Sequence, residues 1–230
     1  SELNYLDKEI WPFKIIHHFI NQTGACNARN LALKEVKSSW VFFADDDIRI
    51  EKDFLINCFK KIKQFRSDAF TVSCLQNHEK ETEKQVKQWN SFGSGCSILK
   101  ADIVKDTEFD IAFEHGFGED KDYGMQLRNK GFDVLYNPET KLLHLKAPIG
   151  GFRGVIKSSD SSNLIIAKPS STMMLYYLKH HTIQQLKGYK LQLFIKFYRS
   201  QTIKNPIRYI SIMKKRWNLS IQQAKELNKK

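Results

Sequence analysis

Three consecutive carboxylates, Asp45, Asp46 and Asp47, directly follow the apolar run Trp40–Ala44. Carboxylates this close repel one another, and partial desolvation strengthens the repulsion. A divalent cation offsets such charge, and carboxylate oxygens favour Mg²⁺ or Mn²⁺. The pattern therefore predicts a metal site at the end of a buried strand. The alternative is a solvated acidic turn that caps a helix beginning near Asp53.

A second acidic pair, Glu119 and Asp120, follows Gly118 at the predicted start of a helix that Gly131 ends. Carboxylates in a first helical turn stabilise the helix through its dipole, which is one explanation for the pair. The other explanation is general-base chemistry toward a hydroxyl group. In either case, we expect the helix end to lower the pKa of Asp120 and to keep its carboxyl ionised.

Strand and helix signals alternate along the first part of the chain. Strand-like runs cover 13–19, 40–44, 69–75, 97–99, 132–136 and 141–145, and helical patterns cover 25–36, the segment after Asp53, and 118–131. The alternation predicts an α/β fold with a mainly parallel sheet flanked by helices. In such sheets the ligand crevice lies beyond the carboxyl ends of the strands, where the three aspartates are expected.

The composition excludes several classes of protein. Of the 230 residues, 41% are hydrophobic and 27% are charged, which is typical of neither a disordered nor a fibrous chain. No run of apolar residues is long enough to predict a membrane-spanning helix, and the first residues show no signal-peptide pattern. The four cysteines are far apart, which favours free thiols, and we expect a cytoplasmic protein.

The charge is unevenly distributed along the chain. Residues 1–170 contain 24 basic and 24 acidic residues, whereas residues 171–230 contain 13 basic residues and one acid, Glu226. We therefore expect a neutral domain over 1–170 and a basic, amphipathic, helical C-terminal extension over 171–230. Such helices suit the inner surface of an anionic cell membrane. The alternative is a helical pair packed on the domain, and nucleic acid is not expected because no binding motif for it is present.

Two segments, 24–33 and 40–47, resemble the inverting family 2 glycosyltransferases, which have the GT-A (Rossmann-like) fold. The resemblance covers about residues 13–155. It includes three further segments, namely 92–96 on the acceptor side, 118–120 as the Glu-Asp motif, and 144–153. Residues 1–12 leave no room for the family's first strand, helix and second strand. We therefore expect the N-terminal part of the nucleotide-binding half, about 50 to 70 residues at ~30 residues per βαβ unit, to be missing.

The resemblance implies roles on the donor side. Asp45 and Asp47 match the first and last acids of the D-x-D motif, so Asp47 would bind the metal and Asp45 the ribose, the metal or both. Asp46, between them, would help at the ribose. A histidine near His144 completes the metal shell in some members, although a histidine on a strand is also commonly structural. Four further residues, Gly24, Arg29, Asn30 and Arg153, would contribute to donor binding, although Arg153 and Lys157 also fit an ordinary solvated loop.

Other implied roles concern the acceptor and the base. Asp120 matches the proposed general base, and Glu119 would orient it or act in its place. Gly93 and Gly95 lie in the acceptor-side segment. Trp89 would stack on a sugar or anchor the core, and we favour the core role.

The implied function is transfer of a sugar from a nucleotide-sugar donor, expected to be UDP-linked, to a saccharide or lipid-linked acceptor, as in polysaccharide biosynthesis. Mn²⁺ or Mg²⁺ would assist, and the configuration at the sugar would invert. The alternative is a non-catalytic, truncated module that its basic extension attaches to a membrane or polyanion. A metal-dependent phosphohydrolase is less favoured, because no second motif with a nucleophile accompanies the aspartates.

Overall fold

The apolar run before the three aspartates forms the edge strand of a six-stranded sheet. The computed structural model describes residues 5–114, 116–146 and 165–229. The strands are β1 (Trp40–Ala44), β2 (Ile48–Arg49), β3 (Ala69–Leu75), β4 (Lys87–Gln88), β5 (Cys96–Lys100) and β6 (Val134–His144). The helices are α1 (Tyr5–Lys8), α2 (Ala25–Lys34), α3 (Phe54–Phe65), α4 (Ala101–Val104), α5 (Glu119–Asn129), α6 (Ser171–His180), α7 (Ile183–Ser200) and α8 (Pro206–Leu227).

The strands are ordered β1-β5-β3-β6-β2, and β4 also pairs with β6. The predicted α/β class is confirmed. The predicted parallel pairing is confirmed only in part, because β3–β6 is the one parallel pair in the described sheet and the other pairs are antiparallel. Strands β1, β3 and β6 nevertheless run in the same direction, since β5 lies antiparallel between β1 and β3. Their carboxyl ends therefore meet at one edge of the sheet.

Two details of the predicted strands are wrong. The runs 132–136 and 141–145 form the single strand β6, whose pairing with β3 shifts register through a bulge between Val72 and Ser73. The run 13–19 forms no strand and pairs with no strand of the described residues. Its apolar side chains are mostly exposed, as the values for Phe13 (62%) and Phe19 (84%) show. The β-forming residues of this run therefore lack the partner that a strand needs.

The sheet buries a different apolar cluster on each face, as the two-residue period of its strands requires. Helix α3 covers one face, with Phe54, Cys58, Ile62, Phe70, Ile98 and Leu142 in contact. The larger cluster on the other face includes Phe43, Leu99, Phe109, Tyr123, Leu127, Met174, Leu175 and Trp217.

Helices α6 and α8 of the basic extension contribute to this larger cluster. Met174 of α6 is fully buried and Trp217 of α8 is 3% exposed. Each C-terminal helix begins where the side chain of its N-cap residue accepts a backbone N–H bond, and these residues are Ser170, Thr182 and Asn205. The division into 1–170 and 171–230 stays a prediction, but α6 is clearly packed as part of the main core.

We predict that Met174→Ala lowers the free energy of unfolding by about 2 to 5 kcal/mol, because it leaves a cavity in the main cluster. The matched control is Leu178→Ala on the same helix, where the side chain is 38% exposed and little packing is lost. Urea denaturation of both variants measures the difference. Equal losses for the two variants would show that α6 is not part of the main core.

Candidate active site

The three aspartates connect two strands that lie at opposite edges of the sheet. Asp45 follows β1 directly, whereas Asp47 lies beside β6 because the next residue, Ile48, pairs with His144. The thiol of Cys74, at the carboxyl end of β3, is close enough to Asp45 and Asp47 for their charges to affect its pKa. Its hydrogen bond with Cys96 holds its pKa below the ordinary value, while the charges of Asp45 and Asp47 act to raise it. The acids therefore share one edge of the sheet but have different partners.

Asp45 is held between a guanidinium group and a glycine. Its Oδ1 lies 3.5 Å from Nη2 of Arg29, and its backbone N–H donates to the carbonyl of Gly95 at 3.3 Å. A Cβ atom on Gly95 would lie 2.1 Å from Oδ2 of Asp45, a distance that no side chain tolerates. Gly95, predicted on the acceptor side, thus leaves room for the Asp45 carboxylate.

Asp47 pairs with His144, as Nε2 of the imidazole lies 3.2 Å from Oδ2 of the carboxylate. The two side chains are 21% and 32% exposed, so a ligand can reach them. Asp46, predicted at the ribose, is exposed. The acids do not cap α3, whose N-cap residue Asp53 makes no side-chain capping bond.

Of the three predicted metal ligands, Asp45, Asp47 and His144, only Asp47 and His144 are in contact with each other. In the part of the chain that the structure describes, no three His, Cys, Asp or Glu side chains are close enough to hold one ion. Asp45 is engaged by Arg29, which leaves Asp47 and His144 as neighbouring donors. A carboxylate and an imidazole are both ligand types that Mn²⁺ accepts, so the pair fits a metal whose other ligands come from a diphosphate or water.

Asp120, in the first turn of α5, has a carboxyl group that is largely removed from water. Its Oδ1 is buried and has no hydrogen-bond partner among the described residues. Burial raises its pKa to about 6, although hydrogen bonds from Ser94 act to lower it, and the neighbouring charge of Glu119 raises it further. The expectation that the helix end lowers this pKa is therefore wrong, because desolvation outweighs the helix dipole here.

Arg29 links Asp45 to Asp120. The guanidinium that pairs with Asp45 also acts to lower the pKa of Asp120, so it lies close to both acids. It is seated over the ring of Phe109, with 5.4 Å from Cζ to the ring centroid. Its Nη1 is buried and has no hydrogen-bond partner among the described residues. Buried polar atoms without partners are uncommon in proteins, and here one donor and one acceptor lie at the same site.

Glu114, which the sequence analysis missed, fixes the helix that carries Arg29. Its two carboxylate oxygens accept the backbone N–H groups of Cys26 at 3.2 Å and Asn27 at 2.9 Å, so it caps the start of α2 from 87 residues away along the chain. Gly24 makes this possible, because a Cβ atom there would lie 2.2 Å from the Glu114 side chain. Since Gly24 has no side chain to cap α2 itself, the sequence gives no local signal for this long-range cap.

Asn30 is engaged on the same helix. Its amide nitrogen donates to the carbonyl of Phe109 and its amide oxygen accepts the Phe109 N–H, both at 2.8 Å. The side chain therefore shapes the pocket by fixing α2, and its contact with a nucleotide-sugar donor stays a prediction.

A buried ion-pair network, also missed, joins α5 to α6. The Asp122 side chain is 1% exposed and its Oδ1 lies 2.7 Å from Nε2 of His180 and 3.5 Å from Nζ of Lys179. Burial acts to raise the pKa of Asp122, but the hydrogen bonds with His180 and Gln126 hold it below the ordinary value. Asp122 lies two residues after Asp120, so the C-terminal helices help to position the predicted base.

The remaining predicted residues have mainly structural surroundings. Trp89 packs on Tyr136, with 5.0 Å between ring centroids, at the edge of the sheet. A Cβ atom on Gly93 would lie 2.8 Å from the side chains of Cys96 and Thr71, so this glycine serves packing. Their contacts with an acceptor stay predictions. Arg153 and Lys157 lie outside the described residues.

One comparison with known proteins identifies the family of this chain. The family model described as "Glycosyl transferase family 2" matches residues 3–125, more than half of the chain. No match is found among curated proteins.

Three solved structures of S. aureus TarS 1-349 are similar to the chain. The complex with UDP is 18% identical, with 50% of this chain and 38% of that chain covered and a TM-score of 0.39. The structure described without a ligand is 21% identical, with coverages of 49% and 39% and a TM-score of 0.35. The complex with UDP-GlcNAc is 14% identical, with coverages of 82% and 50% and a TM-score of 0.43. The chain thus spans half or less of the TarS chains that it matches.

We predict that Asp120→Asn makes the protein more stable at neutral pH. A carboxyl whose folded-state pKa is about 6 instead of 3.8 loses stability as the pH rises between these values, up to about 3 kcal/mol. Asparagine stays neutral and avoids this loss. Denaturation at about pH 4 and about pH 7.5 should therefore give similar stabilities at acid pH and a more stable variant at neutral pH.

The control for this prediction is Asp102→Asn, because the Asp102 side chain is 86% exposed and its loss should change stability equally at both pH values. A stability difference for Asp120→Asn that does not vary with pH would contradict the raised pKa.

Proposed function

This chain belongs to glycosyl transferase family 2, and we propose that it transfers a sugar from a UDP-linked or other nucleotide-sugar donor to a saccharide or lipid-linked acceptor. The transfer inverts the configuration at the anomeric carbon and is assisted by Mn²⁺ or Mg²⁺. The observation that carries this proposal is the buried Oδ1 of Asp120, which has no hydrogen-bond partner among the described residues, near the Arg29 guanidinium that also pairs with Asp45.

Asp120 acts as the general base. Its carboxylate takes the proton of the acceptor hydroxyl while the acceptor oxygen bonds to the anomeric carbon. The bond between that carbon and the diphosphate oxygen breaks at the same time, and attack from the opposite side gives inversion. A pKa of about 6 leaves the carboxyl mostly ionised at neutral pH and makes it a stronger base than an ordinary aspartate.

Arg29 and Asp45 serve the donor side. The Nη1 group of Arg29 is buried and has no hydrogen-bond acceptor among the described residues. An oxygen atom of the nucleotide sugar could accept its hydrogen bond. Asp45 keeps the guanidinium in place through its 3.5 Å contact and retains a second oxygen for the ribose. Glu114 and Asn30 hold α2 in the position that brings Arg29 to the site.

Asp47 and His144 would hold the divalent cation together with the donor diphosphate. When bound, the cation would offset the negative charge that develops on the departing nucleoside diphosphate. The β2–β6 pairing aligns Ile48 with His144 and so brings the preceding residue, Asp47, close to the imidazole.

We predict that Asp120→Asn abolishes sugar transfer and leaves donor binding within about twofold of the unchanged protein, because the base acts on the acceptor. Release of nucleoside diphosphate measures transfer, and calorimetry with UDP and Mn²⁺ measures binding. Asp102→Asn is the matched control and should retain both. Full transfer by Asp120→Asn would place the base elsewhere, with Glu119 as the next candidate.

We predict that Asp47→Asn weakens UDP binding at least tenfold in the presence of Mn²⁺ and has little effect when EDTA replaces the metal. His144→Ala should show the same metal-dependent loss. Asp102→Asn, which removes an equal charge from a side chain outside the site that is 86% exposed, should bind nearly as well as the unchanged chain.

The same titrations test the alternative of a non-catalytic module. A chain that releases no heat with any of UDP, GDP, ADP or CDP in the presence of Mn²⁺ has no donor pocket, and that result would favour the module. If Asp47→Asn binds UDP as strongly as the unchanged chain, Asp47 does not have the proposed metal role. The transfer assay would still test whether Asp120 is the base.

A further inference from the structure

Helices α7 and α8 form an apolar groove at the surface, which encloses about 550 Å³. We call it the α7–α8 face, and its lining residues are Lys187, Lys190, Leu191, Phe194, Ile195, Tyr198, Arg199, Pro206, Tyr209, Ile210 and Lys214. A hydrogen bond joins the two helices, since the Tyr209 hydroxyl of α8 donates to the Phe194 carbonyl of α7 at 2.6 Å. The Tyr198 hydroxyl of α7 donates to the carbonyl of Lys204, in the loop before α8, also at 2.6 Å. These contacts within the α7–α8 hairpin keep the shape of the groove fixed.

Helix α7 has more apolar surface than its packing on the core uses. None of its residues is buried, and one side packs against the main cluster through Leu186 and Leu193. A second side carries Leu191 and Ile195, which are 63% and 53% exposed. A soluble helix that packs on a core normally has one apolar side, so the second side has another use.

Helix α8 extends the exposed apolar side. Its buried residues, Tyr209, Met213 and Trp217, face the core at helical spacing. Ile207 and Ile210 face away and are 82% and 44% exposed. Leu191 and Ile195 of α7 and Ile210 of α8 thus line the same groove.

Cations surround this apolar surface. The segment 183–225 contains no acidic residue, and its basic residues are Lys187, Lys190, Lys196, Arg199, Lys204, Arg208, Lys214, Lys215, Arg216 and Lys225. No ion pair joins any of these to a carboxylate within the described residues. Their charge is therefore not neutralised inside the fold and is available to an external anion.

We infer that the α7–α8 face docks on the surface of an anionic phospholipid bilayer. The aliphatic side chains enter the boundary between head groups and acyl chains, and the Lys and Arg side chains extend to the phosphates. Such a bilayer presents apolar and anionic groups in adjacent layers, which matches an apolar strip bordered by cations on both helices. No helix of the described residues has the length and hydropathy needed to cross a bilayer.

The test uses the full chain and vesicle flotation. Vesicles of phosphatidylcholine are compared with vesicles in which half of this lipid is replaced by phosphatidylglycerol. We expect the chain to float with the anionic vesicles and not with the neutral ones, and binding to weaken as salt increases.

Two pairs of variants locate the contact. Leu191→Ser with Ile195→Ser should lower binding at least tenfold, and Lys187→Ala about fivefold. The matched controls lie on α3, where Leu55 and Ile56 are 48% and 55% exposed. There, Leu55→Ser with Ile56→Ser, and Lys60→Ala, should bind like the unchanged chain. All altered side chains lie at the surface, and circular dichroism with thermal melting confirms that each variant folds.

Three results would overturn the inference. These are absence of flotation with anionic vesicles, equal flotation with neutral vesicles, and equal losses from the α3 and α7 variants. Flotation does not depend on sugar transfer, so a variant inactive at Asp120 should bind vesicles normally. Failure of the proposed function and failure of this docking surface are therefore distinguishable.

Discussion

A single guanidinium group holds the candidate site together. The Arg29 guanidinium lies 3.5 Å from the carboxylate after β1, and its charge also lowers the pKa of the carboxyl at the start of α5, which is 75 positions further along the chain. A positive charge close to both acids favours their ionised forms. The site therefore depends on the exact placement of α2, which in turn depends on contacts that do not involve any ligand.

The environment of Asp120 illustrates a conflict between stability and the proposed activity. Its carboxyl would be better solvated at the surface, but burial gives it the higher pKa that suits proton abstraction. The Asp122–His180 contact anchors the same helix to α6, and α6 belongs to the main apolar core. The basic extension thus helps to hold α5, the helix that carries Asp120, through the contact of α6 with Asp122. Helix α7 of the same extension contributes to the α7–α8 face.

Local patterns were enough to predict much of this architecture. The apolar run before the aspartates, the Ala69–Leu75 strand and the helix that Gly131 ends all follow from periodicity and from turn residues, which act over a few positions. The pairing of Asp47 with His144 was anticipated only through the resemblance, because the β2–β6 register that produces it is a long-range feature.

The failures of prediction have the same origin. Residues 13–19 have β-forming side chains, but strand formation requires a neighbour, and none of the described strands pairs with them. The pKa of Asp120 depends on how much protein covers the carboxyl, which the helix-start pattern does not reveal. Glu114 and His180 act at 87 and 58 positions from their partners, so no sequence motif marks them.

The cap on α2 has a consequence for anion recognition. A helix start is usually a ready cradle for phosphate, because its free amide groups and its dipole attract negative charge. Here the Glu114 carboxylate already fills that cradle, with both oxygens on the amides of Cys26 and Asn27. A phosphate group could bind at this position only if it displaced the Glu114 carboxylate. A phosphate-bearing ligand of the kind proposed would therefore be bound by side chains, because Glu114 already occupies the backbone amides at the start of α2.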